Sequence, residues 1–597
     1  MVRPAEPLPS FRFATFELDV RSRELRSGTR RIRLQEQPFE ILSMMLERPG
    51  DVVTRDELQR RLWPDGTFVD FEHALNAAVK RLRSALGDDA DHPQFVETVP
   101  RRGYRFIAKL DRPLIHDTGP IAAALEAQPR LVVLPLTNLS DDSSQEYFSD
   151  GLTEELIAQL GVVCRGRIGI IARWSAMAYK GTSQRAREIG EALHVKYLLE
   201  GSVRHEGDRV RIVARLIEAE TETQIWSESY ERDLSDGCHM ASGRLSVQTD
   251  VASRVARALA LELAPPSPAI THSQSLEPST YESYLKGRYH WNVGGEEGLN
   301  QALAAFSRVV TEAPAFSAGH AALARARIAS AESYRGVPRD ELMLAHAAAV
   351  RALAIDADVS EAHLALGDIR RLLEWDWRGA EQAYVRALVL NPSLESAHRS
   401  YSAMLVVLQR GEDAVREVER ACGLDPLCLI STLSAAWIHY LVGDSAEAVA
   451  RCRRTIDMDP ERVSAHRLLG AALLALDRPA DARTALDRAL ALAPDDPATI
   501  AWLAHARAVA GDASGAASEL ERLRASGQYV PPYHLAVALV GLGDMDAAFR
   551  ALERGCAERD PMTGYVTVDP RFEALRRDPR YSTMRDALGL ERDTLSA

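Results

Sequence analysis

Apolar residues recur with three different periods along this chain, and each period predicts a different architecture. Between residues 71 and 86, Leu75, Val79, Leu82 and Leu86 fall at helical spacing and form one apolar stripe. At about 100° per residue, His73, Asn76 and Lys80 lie on the opposite side, with Arg81 and Arg83 on the two shoulders. Ala77 and Ser84 on this helix are small enough for close approach. Around it, Phe11-Arg12-Phe13 and Phe16 to Val20 alternate as short strands, as do Phe95 to Val99 and Tyr104 to Ile107. Thr54-Arg55-Asp56-Glu57 has the form of a capping box and starts a second helix, which Pro64-Asp65-Gly66 ends. Gly50 fits the end of an earlier helix after Arg48, and Asp70 can cap the third.

A second pattern begins at Arg130. The run 131–139 reads as a buried strand, and 150–160 as a helix with Asp150 or Thr153 as its cap. IGIIARW reads as a second strand and REIGEALHV as a second helix. Residues 197–233 read as strand, turn at His205 to Asp208, strand, strand. A long helix, LSVQTDVASRVARALALEL, closes this unit. The order predicts an α/β layer with about two helices and four or five strands. Asp150, Glu154 and Glu155 read as capping and solvated acids.

The third pattern is a repeat. Pro392, Pro426, Pro460 and Pro494 stand 34 residues apart. Ala380, Ala414, Ala448, Ala482 and Ala516 keep the same step, as do the small residues Ser402, Ala436, Gly470 and Ala504. Tyr384, Val418, Cys452, Leu486 and Leu520 keep it too and are expected to be the packing knobs. Small residues let paired helices approach, and proline ends one pair before the next. About eight units fit between residues 280 and 561, with an insertion around Ser333 to Pro338. The tail from Asp569 is expected to close the stack with a polar face.

Composition narrows the function classes. A chain of 597 residues predicts several domains. The net charge is −13, yet residues 1–110 hold 19 Lys and Arg against 17 Asp and Glu, so the remainder carries −15. An acidic body repels nucleic acid at long range and leaves the basic helix and turn to make contact. The six cysteines have no CxxC pair or metal spacing and read as reduced, mostly buried thiols. No stretch of about 18 apolar residues occurs, so no membrane span is expected, and the polar segment after residue 108 reads as a linker. There is no GxxxxGK[ST] loop, GxSxG elbow or HExxH helix. The histidines of the repeats (His320, His346, His363, His398, His439 and His466) read as helix-face packing. Neither catalysis, a cofactor nor a metal is expected.

The order of these motifs in residues 10–108 resembles the winged helix-turn-helix DNA-binding domain of OmpR/PhoB-type regulators, with the CadC/ToxR arrangement at the N-terminus. The resemblance implies a small N-terminal sheet, three helices and a C-terminal wing. It makes the helix with Asn76, Lys80, Arg81 and Arg83 the recognition helix. It places Arg55 and Trp63 at phosphates, and Thr98 with Arg101 and Arg102 in the wing that enters the minor groove. Pro100 departs from the family, which often has arginine there; Arg101 and Arg102 stand in for it.

VLPLTNLSDD, EYFSDGLTEELI, YLLEGSVR and IWSESYERDL resemble the TolB-N-terminal or FlgO-like domain, from which no activity follows. The period of 34 resembles the tetratricopeptide repeat and implies an α-solenoid whose groove takes a protein or peptide. The expected fold class is multidomain and mainly α: a winged helix-turn-helix over 10–108, a linker over 109–129, an α/β domain over 130–264, a linker over 265–279, and a repeat solenoid with its cap over 280–597. The expected function is a soluble, cytoplasmic one-component transcription regulator on double-stranded promoter DNA, forming a homodimer there. The alternative is a repeat scaffold whose winged helix docks protein.

Overall fold

The computed structural model describes residues 10–14, 16–19, 24–27, 30–32, 34–47, 52–62, 71–89, 93–99, 102–108, 128–140, 146–164, 167–206, 209–233, 277–334 and 337–590. The chain divides into two compact units, with the boundary between Ala124 and Leu125.

The first unit opens with an antiparallel four-stranded sheet, β1 (Ser10–Phe13), β2 (Phe16–Asp19), β3 (Glu24–Ser27) and β4 (Arg30–Ile32). The last two strands were not among the expected elements, being short and rich in charged residues. Helices α1 (Glu36–Glu47), α2 (Arg55–Leu62) and α3 (Phe71–Leu86) follow. A second sheet is formed in the order β5 (Val52–Thr54), β7 (Gly103–Phe106), β6 (Val96–Val99). The capping box is present: Thr54 N donates to Glu57 Oε2 at 2.8 Å, and Glu57 N donates to Thr54 Oγ1 at 3.3 Å. Phe13, Leu18, Leu42, Leu75, Leu82 and Phe106 belong to one core that joins both sheets to the helices. Gly103 is needed where β7 passes β5, because a Cβ there would stand 2.0 Å from the Val53 carbonyl oxygen.

The second unit starts with a six-stranded sheet. β10 (Gly169–Ile170), β8 (Arg130–Val133) and β11 (Tyr197–Glu206) are parallel, and β12 (Arg209–Glu218) and β13 (Thr223–Asp233) continue antiparallel. Helix α4 (Glu146–Val163) packs with Leu131 and Val133 on one face. Helices α5 (Arg173–Met177) and α6 (Ala186–Leu193) pack with Val132 and Leu198 on the other. Burial on both faces explains the unbroken apolar run of β8.

Three local elements differ from the expectation. The run 131–139 is not one strand: it stops at Val133, Pro135 supplies no ladder donor, and β9 is only Thr137–Asn138. Asp150 and Thr153 are not caps, because α4 already starts at Glu146; Asp150 instead accepts a bond from Lys180 Nζ at 2.7 Å. IGIIARW is a strand only at Gly169–Ile170, and its end becomes α5. The expected helix over 245–263 and the turn at Gly207-Asp208 lie outside the described residues.

Eight helix pairs follow among the described residues, from α7 (Pro278–Val293) with α8 (Gly295–Glu312) to α21 (Pro532–Gly541) with α22 (Met545–Glu558). All five alanines of the 34-residue step, and the knobs Tyr384, Val418, Cys452, Leu486 and Leu520, are buried. A Cβ on Gly470 would meet Leu486 Cγ at 2.6 Å, so a small residue of one helix receives a knob of its partner. His320, His363, His398 and His466 each bond by Nε2 to the carbonyl six residues earlier, at 2.8–3.1 Å, which ties helix starts to the preceding loops. Cys164, Cys422, Cys428, Cys452 and Cys556 are free thiols, and Cys238 lies outside the described residues.

The α/β layer docks on this array. Arg288 of α7 donates from Nε to Glu154 Oε1 at 2.9 Å, and Arg173 lies 3.5 Å from the same carboxylate. Burial acts to raise the Glu154 carboxyl, but Arg288 and Arg173 outweigh it and hold it below the ordinary range. Glu154 is therefore paired, not solvated. Farther along, Ala172 N donates to the Leu424 carbonyl at 2.8 Å. Asp425 Oδ1 accepts from Ser175 N at 2.8 Å and from Ser175 Oγ at 2.6 Å. The start of α5 is thus capped by a carboxylate 250 residues away in sequence.

The tail does not close the stack with a polar face. Residues 559–590 fold back across the first helices of successive repeats. Thr567 Oγ1 donates to the carbonyl of Val407 at the end of α13 (Glu395–Val407), at 3.1 Å. Tyr565 packs edge-on against Trp437 of α15 (Leu429–Leu441), and Arg571 stacks 3.8 Å over Trp502 of α19 (Pro497–Val509). Tyr334, beyond the end of the second repeat's first helix, reaches Tyr529 just before the eighth repeat. The array therefore curls with its first helices inward, and the tail fills that inner face. Apolar burial drives this: Val566, Phe572, Leu575, Leu588 and Leu590 are fully buried.

Candidate nucleic-acid interface

Helix α3 is built from its buried side outward. Leu75, Ala78, Val79, Leu82 and Leu86 are buried in the core. Asn76, Lys80, Arg81 and Ser84 are exposed, and Ala77 is half-buried. Asn76 and Lys80 are one helical turn apart and share a face. A helix with this division fits the width of a duplex major groove.

The wing positions this helix from behind. Tyr104 of β7 is buried, and its hydroxyl donates to Asn76 Oδ1 at 2.7 Å. The Arg55 guanidinium lies 5.5 Å over the Tyr104 ring, and Arg55 N donates to the Arg102 carbonyl at 3.1 Å. One tyrosine thus connects α3, α2 and the wing. Tyr104 was not among the expected site residues; the sequence marked it only as part of a short strand, and its hydroxyl's partner stands 28 residues away.

Arg83 is placed differently from the exposed cations. It is half-buried, and its Nη2 donates to the Val96 carbonyl at 2.7 Å and to Thr98 Oγ1 at 2.9 Å. Its Nε lies 4.0 Å from Asp88, whose carboxylate also accepts from Gln94 N, Phe95 N and Val96 N. Arg83 therefore fastens α3 to β6, and the shoulder position that helical spacing predicted is turned toward the wing. Arg81 reaches Gln37 Oε1 only at 3.4 Å and stays exposed. Thr98 and Arg102 are exposed on the wing, where Arg102 N donates to the Val99 carbonyl at 3.1 Å and closes the turn. Trp63, Arg101 and the side chain of His73 lie outside the described residues. Among the described residues, no group of three or more His, Cys, Asp or Glu could hold a metal ion. No described helix is long and apolar enough to cross a membrane.

Residues 28–106 match the family "Transcriptional regulatory protein, C terminal", and residues 433–497 match the tetratricopeptide repeat. The N-terminal domain is thus an OmpR/PhoB-type winged helix, and the helical array is built of tetratricopeptide repeats.

Three curated relatives align with part of the chain. "Putative adenylate cyclase 3" of Rhizobium meliloti (strain 1021) is 32% identical over 256 residues, 42% of each chain. The "Cholera toxin homolog transcriptional activator" of Vibrio parahaemolyticus serotype O3:K6 is 38% identical over 111 residues, 18% of this chain and 38% of that protein. The chain thus spans less than half the length of either. The "Transcriptional regulator HilA" of Salmonella typhimurium (strain LT2) is 21% identical over 433 residues, 72% of this chain and 73% of that one.

Proposed function

We propose that this protein regulates transcription by binding promoter duplex DNA through its N-terminal domain. In this reading α3 enters the major groove with Asn76, Lys80 and Arg81 toward base edges and phosphates. Arg55 and Trp63 contact phosphates, and Arg101 and Arg102 carry the wing to the minor groove. His73 of the same helix and Thr98 of the wing are assigned to the contact as well, and Arg83 holds the wing against the helix. The observation that carries the reading is the exposure of Asn76, Lys80 and Arg81 on one surface of a helix whose other side is core.

The proposed boundaries are the winged helix at 10–108, linkers at 109–129 and 265–279, the α/β domain at 130–264, and the repeats with their tail at 280–597. The α/β domain and repeats would bind a protein partner whose unequal affinity for two states shifts DNA occupancy. Two copies on tandem half-sites fit the family resemblance. The reading places the protein in solution with access to the chromosome and assigns it no catalytic step.

A binding series with the full chain on duplex DNA tests this. Affinity should fall steeply and linearly with log salt concentration. A flat salt response, or equal affinity for the Lys80→Ala/Arg81→Ala variant, would refute it.

A further inference from the structure

The tail carries its own internal pattern. Asp560, Asp569 and Asp578 stand nine residues apart, and each precedes a proline. Each carboxylate accepts from the backbone N–H two residues on: Met562, Arg571 and Arg580, at 2.9, 2.9 and 3.0 Å. The first two of these turns are buried against the inner face, and the third is outside it.

The inner face meets the two buried turns with matched groups. Tyr334 Oη donates to Asp560 Oδ1 at 2.7 Å, and Tyr533 N donates to Asp560 Oδ2 at 2.9 Å. Asp569 accepts from the hydroxyls of Tyr533 and Tyr440, the latter at 3.3 Å. Arg571 pairs with Asp569 at 2.6 Å and lies on the Trp502 ring. Phe572 enters the core beside Tyr533, with ring centroids 5.3 Å apart. The contacting groups come from the second, fifth, seventh and eighth repeats, so the contact exists only on the curled array. An aspartate, a guanidinium on a tryptophan and a buried phenyl ring form the kind of contact set by which a groove reads a peptide.

We propose that the inner face of the later repeats is a peptide site occupied in cis by the chain's own Asp-Pro-Arg-Phe segment. An outside partner would reach it only with a segment of the same chemistry and only once the tail has left. Covalent attachment gives the tail an effective concentration in the millimolar range, so an equal peptide in solution competes poorly. The same hydroxyls and the same tryptophan face would serve either ligand, so the two exclude one another. This inference does not depend on DNA binding.

The test uses full-length protein and a fluorescein-labelled synthetic peptide of residues 559–590. Wild type should bind the peptide about 100-fold more weakly than an Asp569→Ala/Arg571→Ala full-length variant, whose own tail is weakened. A peptide carrying the same two substitutions should not bind that variant. Equal binding by wild type and variant, or by both peptides, overturns the proposal. Should the variant fail to fold, hydrogen exchange on wild type decides. Amides of Tyr565 to Phe572 should be protected yet exchange faster than those of α15, because the tail leaves before the repeats unfold; exchange in step with α15, or no protection at all, overturns the proposal.

Discussion

Tyr104 donates its hydroxyl proton to Asn76 Oδ1 across 2.7 Å, and this bond ties strand β7 to helix α3. Tyr104→Phe keeps the ring under Arg55 and removes the bond to Asn76. The expected loss is about 1 kcal/mol of stability with a several-fold weaker DNA affinity. Thermal unfolding and a gel-shift series at one salt concentration measure both. Unchanged affinity would show that Asn76 needs no positioning.

The cations of α3 should separate into two kinds. Lys80→Ala/Arg81→Ala removes exposed charge, so affinity should drop across sequences and the log–log salt slope should fall by about 2, with little change in melting temperature. Arg83→Ala instead leaves the Val96 carbonyl and Asp88 without their cation. Its main effect should be on stability, about 1–3 kcal/mol, with the salt slope nearly kept. Salt titrations of the two variants side by side distinguish these roles.

Glu154→Ala should loosen the α/β layer from the repeats. It leaves Arg288 and Arg173 partly buried without their shared carboxylate, a loss on the order of 2 kcal/mol. A double-mutant cycle with Arg288→Ala should show coupling. Additive losses would mean that the pair does not hold the joint.

The joint should also respond to pH. Burial pushes the Asp425 carboxyl up to about 7, Glu395 adds to the rise, and the bonds from Ser175 oppose it. A raised acid means that the folded state binds more protons than the unfolded one. The contribution is full below the unfolded value of 3.8 and is lost as pH rises through about 7. Melting temperature should therefore decline between pH 5 and 8 through this group, and Asp425→Asn should flatten that part of the profile. An identical profile in the variant would place the dependence elsewhere.

Gly470→Ala sets two effects against each other. Alanine gains about 1 kcal/mol of helix propensity, but its Cβ would stand 2.6 Å from Leu486 Cγ. Overpacking of about 1–3 kcal/mol should win, giving a lower midpoint in chemical denaturation. Leu486→Val in the same chain should relieve part of the loss.

Local chemistry was legible in the residues. The stripe from Leu75 to Leu86, the Thr54–Glu57 box and the 34-residue step all act between neighbours in sequence, so each element states its own period. The apolar face of α3 then decides which polar residues face out. What the chain could not announce are meetings between distant residues. Arg83 reads as a free shoulder cation until β6 arrives with the Val96 carbonyl. IGIIARW reads as strand until Asp425 caps α5. The tail reads as a polar lid until the curled repeats offer it Trp437, Trp502 and Tyr533. Periodicity reports which side of an element is buried; only the folded chain determines what buries it, because that depends on contacts between residues from 13 to 250 positions apart.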